Sequence, residues 1–174
     1  STLTASLSSA KVALVVLPGA SDDDVAAIRS TLTDAGASVV GRVTLSDNWQ
    51  STSMSQYRTT LSTTLASHLA SGAAKTASAD GVVGYSIVQV LTTTGAETDL
   101  LRQILTDEST PIMTIDEDAN GSATAIVAVG PRAQATAVSN ATPTAVTSNP
   151  DAWVGLGQAL GSTNGVLVGD ASTR

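Results

Sequence analysis

The chain has 174 residues and a net charge of −7, with 42% hydrophobic and 13% charged residues. That length suits one domain with a sizeable core, and the acidic balance, with eight scattered basic residues, argues against nucleic acid or an anionic membrane surface as a direct partner. The absence of Cys removes disulfides, thiolate metal sites and cysteine nucleophiles, and the absence of Phe leaves the core to Val, Leu, Ile and Ala.

Residues 1–10 are rich in Ser, Thr and Ala and read as a lead-in or the stub of an upstream helix. The segment that organises the remainder is Lys11 to Leu45. Val12 to Leu17 is an apolar run closed by Pro18-Gly19, the signature of a strand covered on both faces. Ser21 can accept a bond from an orphan helix N–H, and Asp22, Asp23 and Asp24 place negative charge in the first turn, where the helix dipole favours it. Val25, Ile28, Leu32 and Ala35 form one apolar stripe, Gly36 stops the helix, and Val39, Val40, Val43 and Leu45 supply a second strand. The spacing predicts a parallel β–helix–β unit. Its turn carries a single glycine and three carboxylates at the positive helix end, a pattern that repels a phosphate.

Ser46 to Gln50 reads as a polar connection carrying Trp49, and Met54 to Leu69 as a helix ended by Gly72. Asp80 to Leu91 has apolar content that suits a buried helix or a buried strand; a face shared by Val83, Ile87, Val90 and Leu91 predicts the helix. Glu97 to Asp107 is a clearer helix, and Pro111 introduces a strand over Ile112 to Ile115. An acidic turn follows at Asp116 to Ser122, then a strand over Ala123 to Val129. Ala133 to Pro150 reads as a long connection, followed by a helix with Trp153, Leu156 and Leu160 inward and a last strand over Val166 to Val168. The expected fold is α/β: an open, mostly parallel sheet with helices on both faces, Rossmann- or flavodoxin-like in its layering, forming a single soluble domain over 11–174. No apolar run approaches the roughly twenty residues that cross a bilayer.

No catalytic constellation stands out, and the chain is expected not to be an enzyme. His68 is the only histidine, and no Gly-x-Ser-x-Gly elbow exists to present a nucleophile to it. Open α/β sheets gather ligands beyond the carboxyl ends of their strands. The residues predicted there include Pro18 to Asp24, Ser46-Asp47, Asp116 to Asp118, Gly130 and Asp170. Asp22, Asp23, Asp24, Asp116, Asp118 and Asp170 are therefore candidates for a hard cation, against the simpler reading of helix caps and turn acids. Copper favours sulfur or imidazole, which only Met54, Met113 and His68 offer. Met54 and His68 are about four helical turns apart, so one helix cannot bring them together. No cofactor is evident.

In the pattern VALVVLPGASDDDVAAIRSTLTDAGASVVGRVTL the chain resembles the mycobacterial copper transport protein family (MctB) of actinobacterial cell envelopes. The motif comprises Val12 to Leu17, Pro18, Ala20, Asp22 to Asp24, Val25 to Ala27 and Ala35-Gly36, with weaker similarity at Arg58 to Leu61, Asp80 to Val83, Ala123 to Val129 and Trp153 to Asp170. The resemblance implies an extracytoplasmic, periplasmic-type domain of an envelope protein that keeps intracellular copper low by efflux through the outer membrane. It implies an N-terminal membrane helix and coiled coil outside these residues, so that the membrane is met only through a segment absent here. Copper is then a matter for the full-length protein. The domain itself is expected to act by self-association or by contact with other envelope proteins. The runner-up is a small-ligand or hard-cation module built on the acidic strand-end loops.

Overall fold

A computed structural model describes residues 9–132, 150–163 and 165–168. The opening unit forms as its pattern predicts. Strand β1 (Lys11–Val16) leads into helix α1 (Asp22–Asp34), whose N-cap is Ser21, and strand β2 (Ser38–Leu45) returns parallel to β1. The Ser21 hydroxyl accepts from the Asp24 amide at 3.0 Å. After β2 come a short helix α2 (Asp47–Gln50), a 3₁₀ turn at Thr52–Met54 and helix α3 (Ser55–Ala66). Next are the single-turn α4 (Gly72–Lys75), the long α5 (Ala79–Thr92) and α6 (Ala96–Leu105). Strands β3 (Met113–Glu117) and β4 (Ala125–Val129), helix α7 (Pro150–Gly161) and strand β5 (Gly165–Val168) complete the order.

The five strands form one sheet in the order β3-β2-β1-β4-β5. All neighbours are parallel except β2 and β3. Alternation along β1 assigns its side chains to two layers. Val12, Leu14 and Val16 pack under Val25 and Leu32 of α1. Ala13, Val15 and Leu17 face a larger core that collects Leu65 of α3, Val83 and Ile87 of α5, Leu101 and Leu105 of α6, and Leu156 and Leu160 of α7. Among the described residues the sheet thus has one helix on one face and a helical layer on the other, which is the expected α/β arrangement.

Residues 80–91 are helical, within α5. Nine residues of α5 are buried, all round the helix and not only on the face of Val83, Ile87, Val90 and Leu91. Three local expectations change. Gly72 begins a helix rather than ending one: Ser71 caps it by accepting from the Ala74 amide, and α3 has already closed at Ala66. Asp47–Gln50 is a helical turn capped by Ser46, with Trp49 buried, rather than a polar connection. Asp116 and Glu117 belong to β3 and not to the following turn. Residues 1–8 and 133–149, with the readings made on them, lie outside the described residues.

Candidate functional site

The topology directs a ligand to the carboxyl end of the sheet, where the chain leaves β1 for α1 and β4 for α7. Connections depart in opposite directions from these neighbouring strands, which opens a crevice in doubly wound folds. Among the described residues, several of the protein's own side chains approach closely there. Gly19, at φ +89°, turns the chain so tightly that a Cβ there would lie 3.3 Å from Pro131. Beyond β4, a Cβ on Gly130 would sit 3.4 Å from the Trp153 ring. Trp153 tilts against the buried Trp49, ring centroids 5.7 Å apart, and donates its indole N–H to Gln50 Oε1 at 2.8 Å.

The helix end in this crevice is also occupied. Asp24 accepts from Arg132 Nε at 2.9 Å on one carboxylate oxygen and from Nη2 at 2.7 Å on the other. Hydrogen bonding from Arg132 holds the Asp24 carboxyl below its ordinary pKa, and the same bonds raise that of Arg132. A nucleotide phosphate would meet carboxylates here, and the guanidinium is already bound. Asp22 and Asp23 remain exposed on the first turn.

Asp116 and Asp118 do not join them. Because β3 runs antiparallel to β2, its start meets Leu45 and its end meets Arg42, so Asp116 lies level with the middle of the parallel strands and Asp118, beside Gly41, is further from their carboxyl ends. The ladder is irregular between Arg42 and Val43, leaving Asp116 as an extra residue on β3. Both neighbouring acids thereby meet arginines. Glu117 receives two bonds from Arg29 of α1, at 2.7 and 2.9 Å, which lower its pKa. Asp116 lies 3.5 Å from Arg42 and accepts from the Thr44 hydroxyl. Asp118 is exposed on a groove of about 560 Å³ shared with Arg102 and Ile115. Asp170 lies outside the described residues.

The soft-ligand candidates are equally dispersed. Met113 is fully buried at the start of β3, and Met54 is half-buried at the N-cap of α3. His68 lies beyond the other end of that helix, about 18 Å along its axis at 1.5 Å per residue. Its Nδ1 sits 2.8 Å from Glu97 Oε1, tying α3 to α6. Among the described residues no three His, Cys, Asp or Glu side chains are grouped to hold a metal.

One charged residue has a role that no sequence pattern states. Arg58 on α3 is 1% exposed. Its Nε donates to Asp80 Oδ1 at 2.9 Å, and Nη1 donates to the carbonyls of Asn48 and Ser51, each at 2.8 Å. This guanidinium clamps the α2 turn, and with it Trp49, to the start of α5. The available signal was weak: Arg58 is the only charge in α3, and Asp80 the only one in α5.

A family model described as copper transport outer membrane protein, MctB, matches residues 1–174. The chain belongs to the MctB family. No curated protein matches it. Membership in this family connects the chain to copper transport and homeostasis at the cell envelope. None of the described helices of this MctB-family chain is long and apolar enough to cross a membrane. The two weaker patches of resemblance at Arg58 to Leu61 and Asp80 to Val83 contain the two ends of the buried ion pair.

Proposed function

We propose that this chain is the extracytoplasmic domain of a membrane-anchored envelope protein of copper homeostasis, and that it works through assembly or protein contact rather than catalysis. The observation that carries this reading is the packing of described side chains into the strand-end position. Trp153, Pro131 and the Asp24–Arg132 pair occupy the space where folds of this layering take a substrate or cofactor. The exposed apolar surface, including Val154 and Val166, is the part this reading assigns to contact. Copper is the cargo of the envelope system, not a resident group of this domain.

The test is genetic and quantitative. Deleting the gene raises intracellular copper and copper sensitivity, and the full-length gene restores both. An Asp24→Asn, Arg132→Gln gene restores them equally well, since the crevice has no ligand to lose. Unchanged copper content after deletion removes the reading. Calorimetric titration of the chain with calcium, magnesium and copper tests the hard-cation alternative, which silence from all three ends.

A further inference from the structure

The two edges of the sheet are built differently. At β3 the outer strand carries Asp116 and Glu117 and an irregular register, devices that discourage another strand from adding on. At the opposite edge, β5 is Gly-Val-Leu-Val, with no charge, no proline and an unbroken register against β4. Among the described residues β5 pairs on one side only, and Val166 is 54% exposed.

The helix above this edge repeats the pattern. One side of α7 packs on α5 through buried Ala152, Gly155 and Ala159, and a Cβ on Gly155 would come within 2.5 Å of the Asp80 backbone. Another side meets the sheet, with Trp153 against Gly130 and Leu160 against Gly165. At 3.6 residues per turn, Gly157 and Gly161 fall on the side turned away from α5, while Val154 lines a groove with Thr59 of α3 and Asp80 at the start of α5. Val154 is 68% exposed, the highest value for a large apolar residue among those described, and open space surrounds both glycines. Each glycine costs a helix up to about 1 kcal/mol relative to alanine, and no contact among the described residues requires either. Glycine there allows another backbone to approach closely.

We propose that the α7–β5 flank docks on the same flank of a second copy, β5 antiparallel to β5 across a two-fold axis and α7 crossing α7 at Gly157 and Gly161. Charge identifies the occupant. A chain of net charge −7 repels its copy unless they meet on neutral ground, and Asp151, in the first turn of α7, is the one charge in these two elements. A charged partner finds little to read there. A two-fold axis needs only the chain's own pattern and reverses the strand, so pairing is antiparallel. This rests on the assembly reading above and names its partner and surface.

Sedimentation velocity of the 174-residue chain over a concentration series tests it, with Val166→Lys and Gly157→Glu, both at solvent-facing positions that leave the fold intact by circular dichroism. The expected result is a concentration-dependent dimer that each variant weakens by at least about tenfold in Kd, the equivalent of one 1.4 kcal/mol step. A chain that stays monomeric at millimolar concentration overturns the proposal, as does association by both variants at the native strength. The second outcome leaves the assembly reading standing on another surface. A monomeric Val166→Lys protein that still restores copper handling in cells upholds the flank and removes the assembly reading instead.

Discussion

Arg58 Nε donates to Asp80 Oδ1 at 2.9 Å from a side chain only 1% exposed, joining the first turn of α3 to the first turn of α5. Breaking a buried pair leaves an uncompensated charge, which typically costs about 3–5 kcal/mol. Arg58→Met is expected to lose about that much in urea unfolding, because Asp80 and the carbonyls of Asn48 and Ser51 lose their donor together. Arg58→Met combined with Asp80→Leu recovers much of the loss, since no charge is then stranded. A double mutant no more stable than the single one contradicts this account.

The α5–α7 contact sets a second expectation. A Cβ on Gly84 would approach the Gly155 carbonyl to 2.7 Å, and backbone cannot give way as a flexible side chain can. Gly84→Ala and Gly155→Ala should each destabilise by about 1–3 kcal/mol, the usual cost of overpacking. Gly72→Ala, where nothing lies within 4 Å of the new methyl, should stabilise slightly, by roughly 0.4–1 kcal/mol. Thermal melts of the three variants check the sign of each.

Acid should weaken the fold through two carboxyls. Asp24 and Glu117 lie below their ordinary values of 3.8 and 4.5, chiefly through bonds from Arg132 and Arg29. Each holds a proton more weakly folded than unfolded. Its contribution is therefore complete above the unfolded pKa and disappears as pH falls through the lowered folded value. Melting temperature should drop below about pH 5, and Arg132→Gln with Arg29→Gln should flatten that slope. Because both pairs are partly exposed, salt should flatten it too. A slope identical in the double variant would contradict this assignment.

Trp49 is 1% exposed and is held by its neighbours on every side. Trp49→Ala should cost about 3–5 kcal/mol in denaturant unfolding, the usual range for emptying a large aromatic site. Emission from Trp153, the remaining indole, should shift to longer wavelength as its ring partner is lost.

The elements with local causes were legible. The cap at Ser21, the acids of the first turn and the stop at Gly36 all act within α1 and its ends, so the opening unit could be read directly. Gly72 was misread because Ser71 caps the next helix while α3 stops earlier for want of strong helix formers in its Ser/Thr-rich stretch. The direction of β3 was hidden, since an apolar run does not state which way it pairs. That hidden direction misplaced Asp116 and Asp118, which the sequence put beside Asp24. The site was least legible because its bonds are long-range: Arg132 reaches Asp24 across 108 positions and Arg29 reaches Glu117 across 88.

Trp153 arrives late in synthesis. When β1, β2, β3 and β4 have left the ribosome, Gly130 still lacks its indole cover and Trp49 its ring partner. Translation halted before Pro150 therefore yields a sheet with an unsealed seam and one bare flank on β4. Such a fragment presents sticky surface to chaperones and proteases until α7 and β5 cover it.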